Sequence, residues 1–189
     1  LIDNTGIVSD EEGLSAHLKN KEIKKVLLTA PVKGGLKNIV YGVNHDDIQD
    51  TDKIIGAASC TTNAIVPVLS AIDNEFKIDN GHVETVHAYT NDQNLIDNYH
   101  SKNRRGRAAA LNMVLTETGA ASAVSQVLPN LEGKISANAI RVPTPNVSLA
   151  ILKLYLEKPS ELEKFNEFLK QTAFHSLLKD QIDFSISTE

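Results

Sequence analysis

A buried strand that runs directly into a helix is the feature of this sequence that most restricts its fold. Residues 53–58 form a short apolar segment typical of a buried strand, and apolar side chains recur at helical spacing over 64–76. Between them, at 59–63, stands Ser-Cys-Thr-Thr-Asn, which holds the single cysteine, Cys60. This order predicts an α/β unit with Cys60 in the first turn of a helix, although Pro67 predicts a kink or a later helix start.

The predicted position of Cys60 has a chemical consequence. The first turn of a helix presents unpaired N–H groups and the positive end of the helix dipole, and both stabilise a thiolate. A lone cysteine is more often a small buried hydrophobe, and its spacing alone favours that interpretation. His87, in a second predicted strand, changes the balance, because a cysteine and a histidine that meet in the fold form a nucleophile and its base.

Composition excludes several classes of protein. The net charge of −5 gives no electrostatic basis for binding nucleic acid. No apolar run approaches the length of a membrane span, so we expect no membrane partner. One cysteine excludes an internal disulfide framework and is typical of a reducing compartment, so we expect a cytoplasmic protein.

The other histidines give no sign of a metal site. His17 falls on a predicted surface helix. His82, His100 and His175 lack cysteine or carboxylate partners at ligand spacing. We therefore predict that the chain holds no metal.

Helix and strand signals predict two folding patterns in succession. Residues 1–59 alternate the two signals, with a helix capped by Asp10 and strand candidates at 26–29 and 38–43, which predicts a mostly parallel α/β sheet. Residues 60–189 mix long strands with helices and predict an α+β arrangement. Its predicted elements are a turn at Asn80-Gly81, strands at 82–90, 137–142 and 147–156, a helix at 119–128 and a helix opened by a capping box at 160–163.

Two further features complete the pattern. Residues 91–107 are polar and contain Arg104, Arg105 and Arg107, and a loop that long inside a compact domain is usually functional. Both ends of the chain fall inside predicted elements, so we expect an internal part of a longer protein.

Four motifs carry a resemblance to a known family. They are Ser-Cys-Thr-Thr-Asn at 59–63, Thr-Val-His-Ala-Tyr-Thr at 85–90, Glu-Thr-Gly-Ala-Ala at 117–121 and Arg-Val-Pro-Thr-Pro-Asn-Val-Ser at 141–148. Their order and spacing resemble those of phosphorylating glyceraldehyde-3-phosphate dehydrogenases, and the resemblance covers essentially the whole chain. It implies that residues 1–59 end a Rossmann-type NAD-binding domain and that residues 60–189 form a truncated catalytic domain with a mixed or antiparallel sheet.

The resemblance implies a mechanism centred on a thioester. Cys60 matches the nucleophile that adds to the aldehyde, and His87 matches the base that accepts the hydroxyl proton. Inorganic phosphate then attacks the thioester and releases an acyl phosphate, a reaction of glycolysis and gluconeogenesis. The implied cofactor is NAD or NADP, which Thr5 and Gly6 match as backbone contacts.

Two phosphate sites follow from the same resemblance. Arg141 and Thr90 match the residues that hold the phosphate of the substrate, with Asp92 beside them. A structural ion pair remains the alternative for Arg141.

The attacking inorganic phosphate is the second anion. Ser59, Thr61, Thr118 and Gly119 match its site, and Arg105 reaches in from the long loop. The alternatives here are helix caps for Ser59 and Thr118, and a solvated surface or a subunit contact for the arginines. A homo-oligomer, specifically a homotetramer, is also implied.

Three other functions compete with this one. Erythrose-4-phosphate dehydrogenase shares Ser-Cys-Thr-Thr-Asn, but its relatives tend to lose the Thr-Gly-Ala segment that this chain keeps at 118–120. A cysteine hydrolase would use a Cys–His pair without a cofactor, and it leaves the phosphate motifs unexplained. The third possibility is a non-catalytic piece that only folds with or binds to other subunits. Even if the full-length protein is a dehydrogenase, we expect these 189 residues alone to be inactive.

Overall fold

The computed structural model describes residues 1–116 and 118–187. Glu117 of the third motif and the last two residues of the predicted catalytic domain lie outside this range. The elements are β1 (Ile2–Asp3), α1 (Glu11–Ser15), β2 (Val26–Leu28), β3 (Ile54–Gly56), α2 (Cys60–Phe76), β4 (Ile78–Ala88), β5 (Val114–Thr116), α3 (Ala120–Val127), β6 (Ile135–Val142), β7 (Ser148–Leu156) and α4 (Leu162–His175).

The chain folds into two compact units. The first contains Leu1–Lys77, Gln126–Pro129 and the segment from Lys158 onward, and the second contains Ile78–Ser125 and Asn130–Glu157. None of the helices in the described part of the chain is long and apolar enough to cross a membrane.

A parallel three-stranded sheet organises the first unit. Strand β2 lies between β1 and β3, and Val26 pairs with Ile54. Val26, Ile54 and Leu28 are buried against Leu14 of α1, and this cluster forms a hydrophobic core. The carboxyl ends of parallel strands meet at one edge of a sheet, so the segments that follow β1 and β3 leave from the same edge.

Helix α2 follows β3 and begins at Cys60, as predicted. Its apolar face is buried, and the ring of Phe76 packs on Phe165 and Phe168 of α4 with centroids 5.3 and 5.0 Å away. Pro67 is buried within the helix and does not delay its start.

A mixed four-stranded sheet organises the second unit, in the order β5-β6-β4-β7. Strands β4 and β6 are parallel, whereas β7 and β5 pair antiparallel on either side of them. The parallel register places His87 opposite Arg141. The predicted fold class, α/β followed by α+β with a mixed sheet, is confirmed.

The predicted turn at Asn80-Gly81 is wrong, because both residues lie inside β4. A Cβ on Gly81 would stand 2.7 Å from Leu154 Cδ2 and 2.9 Å from the Lys153 carbonyl oxygen. Glycine is therefore present to let β7 approach closely rather than to turn the chain.

Two other predicted elements also differ. Instead of a strand at 38–43, the structure has a single bridge at Asn38, because the Asn44 side chain accepts the Val40 N–H at 2.7 Å and closes a turn. The capping box at 160–163 does not form. The N-cap of α4 is Glu161, which makes no side-chain cap bond. Leu162, which was expected to face inward from this helix, is 68% exposed.

Candidate active site

Ser59 and its hydrogen bonds fix the start of the helix that carries Cys60. Ser59 Oγ accepts the Thr62 N–H at 3.0 Å and lies 2.7 Å from Thr62 Oγ1. Cys60 is the first helical residue and is exposed, with Thr61 half-buried beside it. The structure thus places Cys60 in the first turn of the helix, as predicted, and it also gives Ser59 the cap role named as the alternative.

The backbone before Cys60 is held in an unusual conformation. Ala58 has φ of +57°, a value that residues with a Cβ seldom adopt. Asn63 stabilises this bend, because its Nδ2 donates to the carbonyl oxygens of Ala57 and Ser59 at 2.7 and 2.9 Å. The last residue of Ser-Cys-Thr-Thr-Asn therefore orients the loop that carries Cys60, a role that was not predicted for it.

The turn after β1 carries Thr5 and Gly6, which are exposed at the carboxyl edge of the parallel sheet. Gly6 has φ of +71°, and no heavy atom lies within 4 Å of where a Cβ would be. Ligands of open α/β sheets bind at this edge, so the turn fits a cofactor contact through backbone groups.

The buried carboxylate of Asp3 holds that turn. Asp3 Oδ1 accepts the Thr5 N–H and Thr5 hydroxyl, both at 2.8 Å, and Oδ2 bonds His17 Nε2 at 2.8 Å. The Thr5 backbone N–H and then its hydroxyl, together with His17, lower the pKa of Asp3 from its ordinary value of 3.8. No role was predicted for Asp3, because a strand of only two residues has no alternation of apolar and polar side chains that would mark a buried carboxylate.

In the second unit, the register of β4 and β6 brings together His87, Arg141 and Thr90. Arg141 Nη1 lies 3.3 Å from Thr90 Oγ1 and donates to the Ala88 carbonyl oxygen at 3.1 Å. The same nitrogen is 3.1 Å from His87 Nδ1. A guanidinium and a hydroxyl at this spacing present donors suited to a phosphate group.

Two contacts at His87 Nδ1 bear on its tautomer. The Ala88 carbonyl oxygen, 2.7 Å away, can only accept, whereas Arg141 Nη1, 3.1 Å away, can only donate. We assign the proton to Nδ1 because the carbonyl oxygen is the nearer partner and Arg141 Nη1 has the same carbonyl oxygen as its own acceptor. In the neutral ring the lone pair is then on Nε2. This nitrogen is the atom of His87 that can act as a base.

A cavity of about 900 Å³ in the second unit collects most of the residues predicted for inorganic phosphate. Thr118, Gly119 and Arg105 line it, together with Arg104 of the predicted arginine cluster and Lys102, which had no predicted role. Thr118 Oγ1 accepts the Ala120 N–H at 3.2 Å at the start of α3 and keeps its own O–H to donate. The cavity is suited to an anion.

Asp92 contacts two of the cations that line this cavity. Its Oδ2 contacts Arg105 Nη1 and accepts Lys102 Nζ at 3.0 Å. Arg105 also donates from Nε to Thr116 Oγ1 at 3.0 Å.

The predicted site residues are divided between the two units. Thr5, Gly6, Ser59, Cys60 and Thr61 belong to the first unit. The second unit holds His87, Thr90, Asp92, Arg105, Thr118, Gly119 and Arg141. Their roles remain predictions.

Comparison with known proteins gives one family. The family model described as glyceraldehyde 3-phosphate dehydrogenase, C-terminal domain, matches residues 59–187. A glyceraldehyde-3-phosphate dehydrogenase-like protein of Pseudomonas aeruginosa is 64% identical over 189 residues, which are 100% of this chain and 41% of that protein.

Two further relatives carry the enzyme name itself. The chloroplastic glyceraldehyde-3-phosphate dehydrogenase A of Zea mays is 46% identical over 94% of this chain and 44% of its own length. The glyceraldehyde-3-phosphate dehydrogenase of Zymomonas mobilis is 45% identical over 92% of this chain and 51% of its own length. The chain therefore spans about half of the length of these curated relatives, or less.

Proposed function

The chain belongs to the glyceraldehyde-3-phosphate dehydrogenase family, and on this premise we propose that the full-length protein oxidises glyceraldehyde 3-phosphate and phosphorylates the product. The observation that carries the proposal is the cluster of His87, Arg141 and Thr90, in which a base of defined tautomer stands beside two donors for a phosphate.

Cys60 begins the proposed reaction. Its thiolate adds to the aldehyde carbon and forms a hemithioacetal. The oxygen of that carbon becomes negatively charged as the C–S bond forms, and the N–H of Cys60 at the start of α2 is suited to hold it. The same helix terminus favours the thiolate that attacks.

His87 acts next, as general base. Its Nε2 takes the proton of the hemithioacetal hydroxyl while the carbonyl of a thioester forms on Cys60. The bond from Nδ1 to the Ala88 carbonyl oxygen keeps the ring in the tautomer with this lone pair. A bound NAD or NADP supplies the acceptor for the hydride that the carbon loses.

Thr5 and Gly6 are the residues of this chain that we assign to that cofactor, through backbone groups of their exposed turn. Asp3 and His17 keep the turn in shape.

Two anion sites serve the two phosphates. Arg141 and Thr90 hold the phosphate of the aldehyde. We assign the attacking inorganic phosphate to Thr118, Gly119 and Arg105 of the second unit, and the family resemblance also assigns Ser59 and Thr61 to it. An oxygen of this phosphate attacks the thioester carbon, the Cys60 thiolate leaves, and an acyl phosphate is released.

The family membership supports further proposals for the full-length protein. We expect residues 1–59 to belong to the nucleotide-binding domain and residues 60–189 to the catalytic domain, in line with a family match that begins at residue 59. We also propose a homotetramer that works in the cytoplasm in glycolysis or gluconeogenesis.

Steady-state assays of the full-length protein test the function. We expect reduction of NAD or NADP with glyceraldehyde 3-phosphate to depend on inorganic phosphate, and Cys60→Ser to abolish it. Turnover of erythrose 4-phosphate without a phosphate requirement would support the erythrose-4-phosphate dehydrogenase alternative instead. Hydrolysis without a nicotinamide cofactor would support a cysteine hydrolase.

These 189 residues alone should be inactive. They contain no Gly-x-Gly-x-x-Gly turn for seating a dinucleotide pyrophosphate. Calorimetric titration with NAD and a coupled assay check this, and tight binding with turnover would contradict it.

A further inference from the structure

Arg105 is a nearly buried cation, and hydrogen bonds at two nitrogens hold the orientation of its guanidinium group. The residue is 9% exposed, which is rare for an arginine unless it is paired. Nε donates to Thr116 Oγ1 and Nη1 to Asp92 Oδ2. Two bonds to different nitrogens of a planar group fix its plane as well as its position.

The loop that carries both Asp92 and Arg105 is held in shape by backbone hydrogen bonds. Asn94 N–H donates to the Arg105 carbonyl oxygen at 3.1 Å, and Asn98 N–H donates to that of Gly106 at 2.9 Å. A Cβ on Gly106 would lie 2.2 Å from the Asn98 carbonyl oxygen, so only glycine permits this close approach. Asp92 and Arg105 are therefore held opposite each other by the loop.

Asp92 is not among the described residues that line the cavity, but it contacts two cations that are. The described residues lining the 900 Å³ cavity include Lys102, Arg104 and Arg105, and none of them is acidic. The Asp92 carboxylate contacts both Lys102 and Arg105, and its side chain is 46% exposed. A carboxylate so placed draws two mutually repelling cations to one point beside the cavity.

We propose that Asp92 is the positioning residue of the attacking-phosphate site, and that it sets the direction of Arg105 and draws in Lys102 as a second cation. The proposal rests on the proposed function for the identity of the anion. It moves Asp92 from the substrate-phosphate site, where the resemblance places it, to the other anion site.

The charge of Asp92 makes the test sharp, since two roles predict opposite signs. If Asp92 were only a negative charge near the anion, Asp92→Asn would lower the KM for inorganic phosphate. If Asp92 positions Arg105, the same change raises that KM, by roughly tenfold.

The experiment measures KM for phosphate and KM for the aldehyde in the full-length protein. We expect Asp92→Asn to raise the KM for phosphate and to leave the KM for the aldehyde unchanged. Thr116→Val removes another partner of Arg105 without a change in charge, so it should also raise the KM for phosphate. Asp97→Asn is the matched control, because Asp97 is on the same loop and its nearest cation, Arg107 Nε, is 3.8 Å away. Its KM for phosphate should change by less than about twofold.

A double-mutant cycle identifies the route. If Asp92 acts through Arg105, Asp92→Asn should add almost nothing to Arg105→Ala. A lowered KM for phosphate, an equal rise in both KM values, or full additivity with Arg105→Ala would overturn the proposal.

A binding measurement separates this inference from the proposed function. Line broadening of inorganic phosphate in ³¹P NMR, in an Arg141→Ala background that removes the other anion site, requires no turnover. Weaker binding by Asp92→Asn supports the positioning role even if the wild-type protein has no dehydrogenase activity, and unchanged binding refutes it.

Discussion

Replacing Ser59 by alanine is the perturbation whose cost the structure defines best. The change removes the oxygen that accepts the Thr62 N–H at the start of α2, and it removes the partner 2.7 Å from Thr62 Oγ1. Thr62 is fully buried, so its hydroxyl depends on this partner. One substitution thus breaks a helix cap and disturbs a buried hydroxyl pair.

The two losses have separate magnitudes. Loss of an N-cap side chain costs about 0.5–2 kcal/mol. Leaving a buried hydroxyl unsatisfied costs about 1–3 kcal/mol. We therefore expect Ser59→Ala to reduce the free energy of unfolding by about 1.5–5 kcal/mol, a large part of the 5–15 kcal/mol typical of a folded protein.

Urea unfolding of the full-length protein measures this loss. Ser160→Ala is the matched control, because Ser160 precedes α4 but its hydroxyl donates to the Glu161 carbonyl oxygen and caps no helical N–H. Its effect should stay within about 0.5 kcal/mol. The double substitution Ser59→Ala with Thr62→Val removes the stranded hydroxyl, so its loss should be smaller than the sum of the two single losses.

Equal effects of Ser59→Ala and Ser160→Ala would refute the reasoning, since they would show that the bonds at the start of α2 contribute nothing specific. Strict additivity of the pair would refute the buried-hydroxyl part alone.

The other predictions concern the site and its pH dependence. His87→Asn should keep the fold and slow hydride transfer by roughly 10²–10⁴-fold, and a single-turnover rate equal to wild type would show that another group takes the proton. Arg141→Ala should lose about 1.5–3 kcal/mol of binding for the phosphorylated aldehyde but not for glyceraldehyde, and equal losses would mean a structural role. The Thr5 N–H, the Thr5 hydroxyl and His17 depress the pKa of Asp3, so its stabilising contribution is present above 3.8 and is lost as pH falls through the lowered value. Asp3→Asn should flatten the urea midpoint across that acidic window, and an unchanged slope would contradict this.

Local signals explain why the position of Cys60 at a helix start could be predicted from the sequence. An apolar strand, a serine that can cap and helical spacing afterwards all act within 25 residues of one another. Propensity, cap and pattern agree there, so the predicted helix start at Cys60 is the one that the structure shows.

The failures occurred where a residue type has more than one use. Asn80-Gly81 is a strong turn signal, yet Gly81 is there because β7 passes too close for a side chain. Ser160 and Glu163 have the spacing of a capping box, but no bond forms between the Ser160 hydroxyl and the helix. For Gly81 the deciding contact is with β7, whose position the local sequence does not specify. For Ser160 a neighbouring carbonyl oxygen takes the hydroxyl that the capping box needs.

Pairing between distant residues was the other limit. His87 and Arg141 are 54 residues apart, and only the parallel register of β4 with β6 puts them side by side. The sequence identified each residue through its motif. The tautomer of His87, however, is assigned from the distance between its Nδ1 and the Ala88 carbonyl oxygen, which only the structure provides. The same holds for Asp92, whose partners Lys102 and Arg105 lie 10 and 13 residues further along a loop without regular structure.

These outcomes indicate what kind of residue each approach can assign. A side chain proposed to act on a bound anion, such as Arg141, belongs to a recognisable motif because the reaction demands its chemistry. A side chain that acts through another, such as Asp92 or Asp3, needs only to reach its partner, and many loop conformations would allow that from other positions. Positioning residues are therefore found from contacts, and the opposite signs predicted for Asp92→Asn distinguish such a residue from a charge that merely lies nearby.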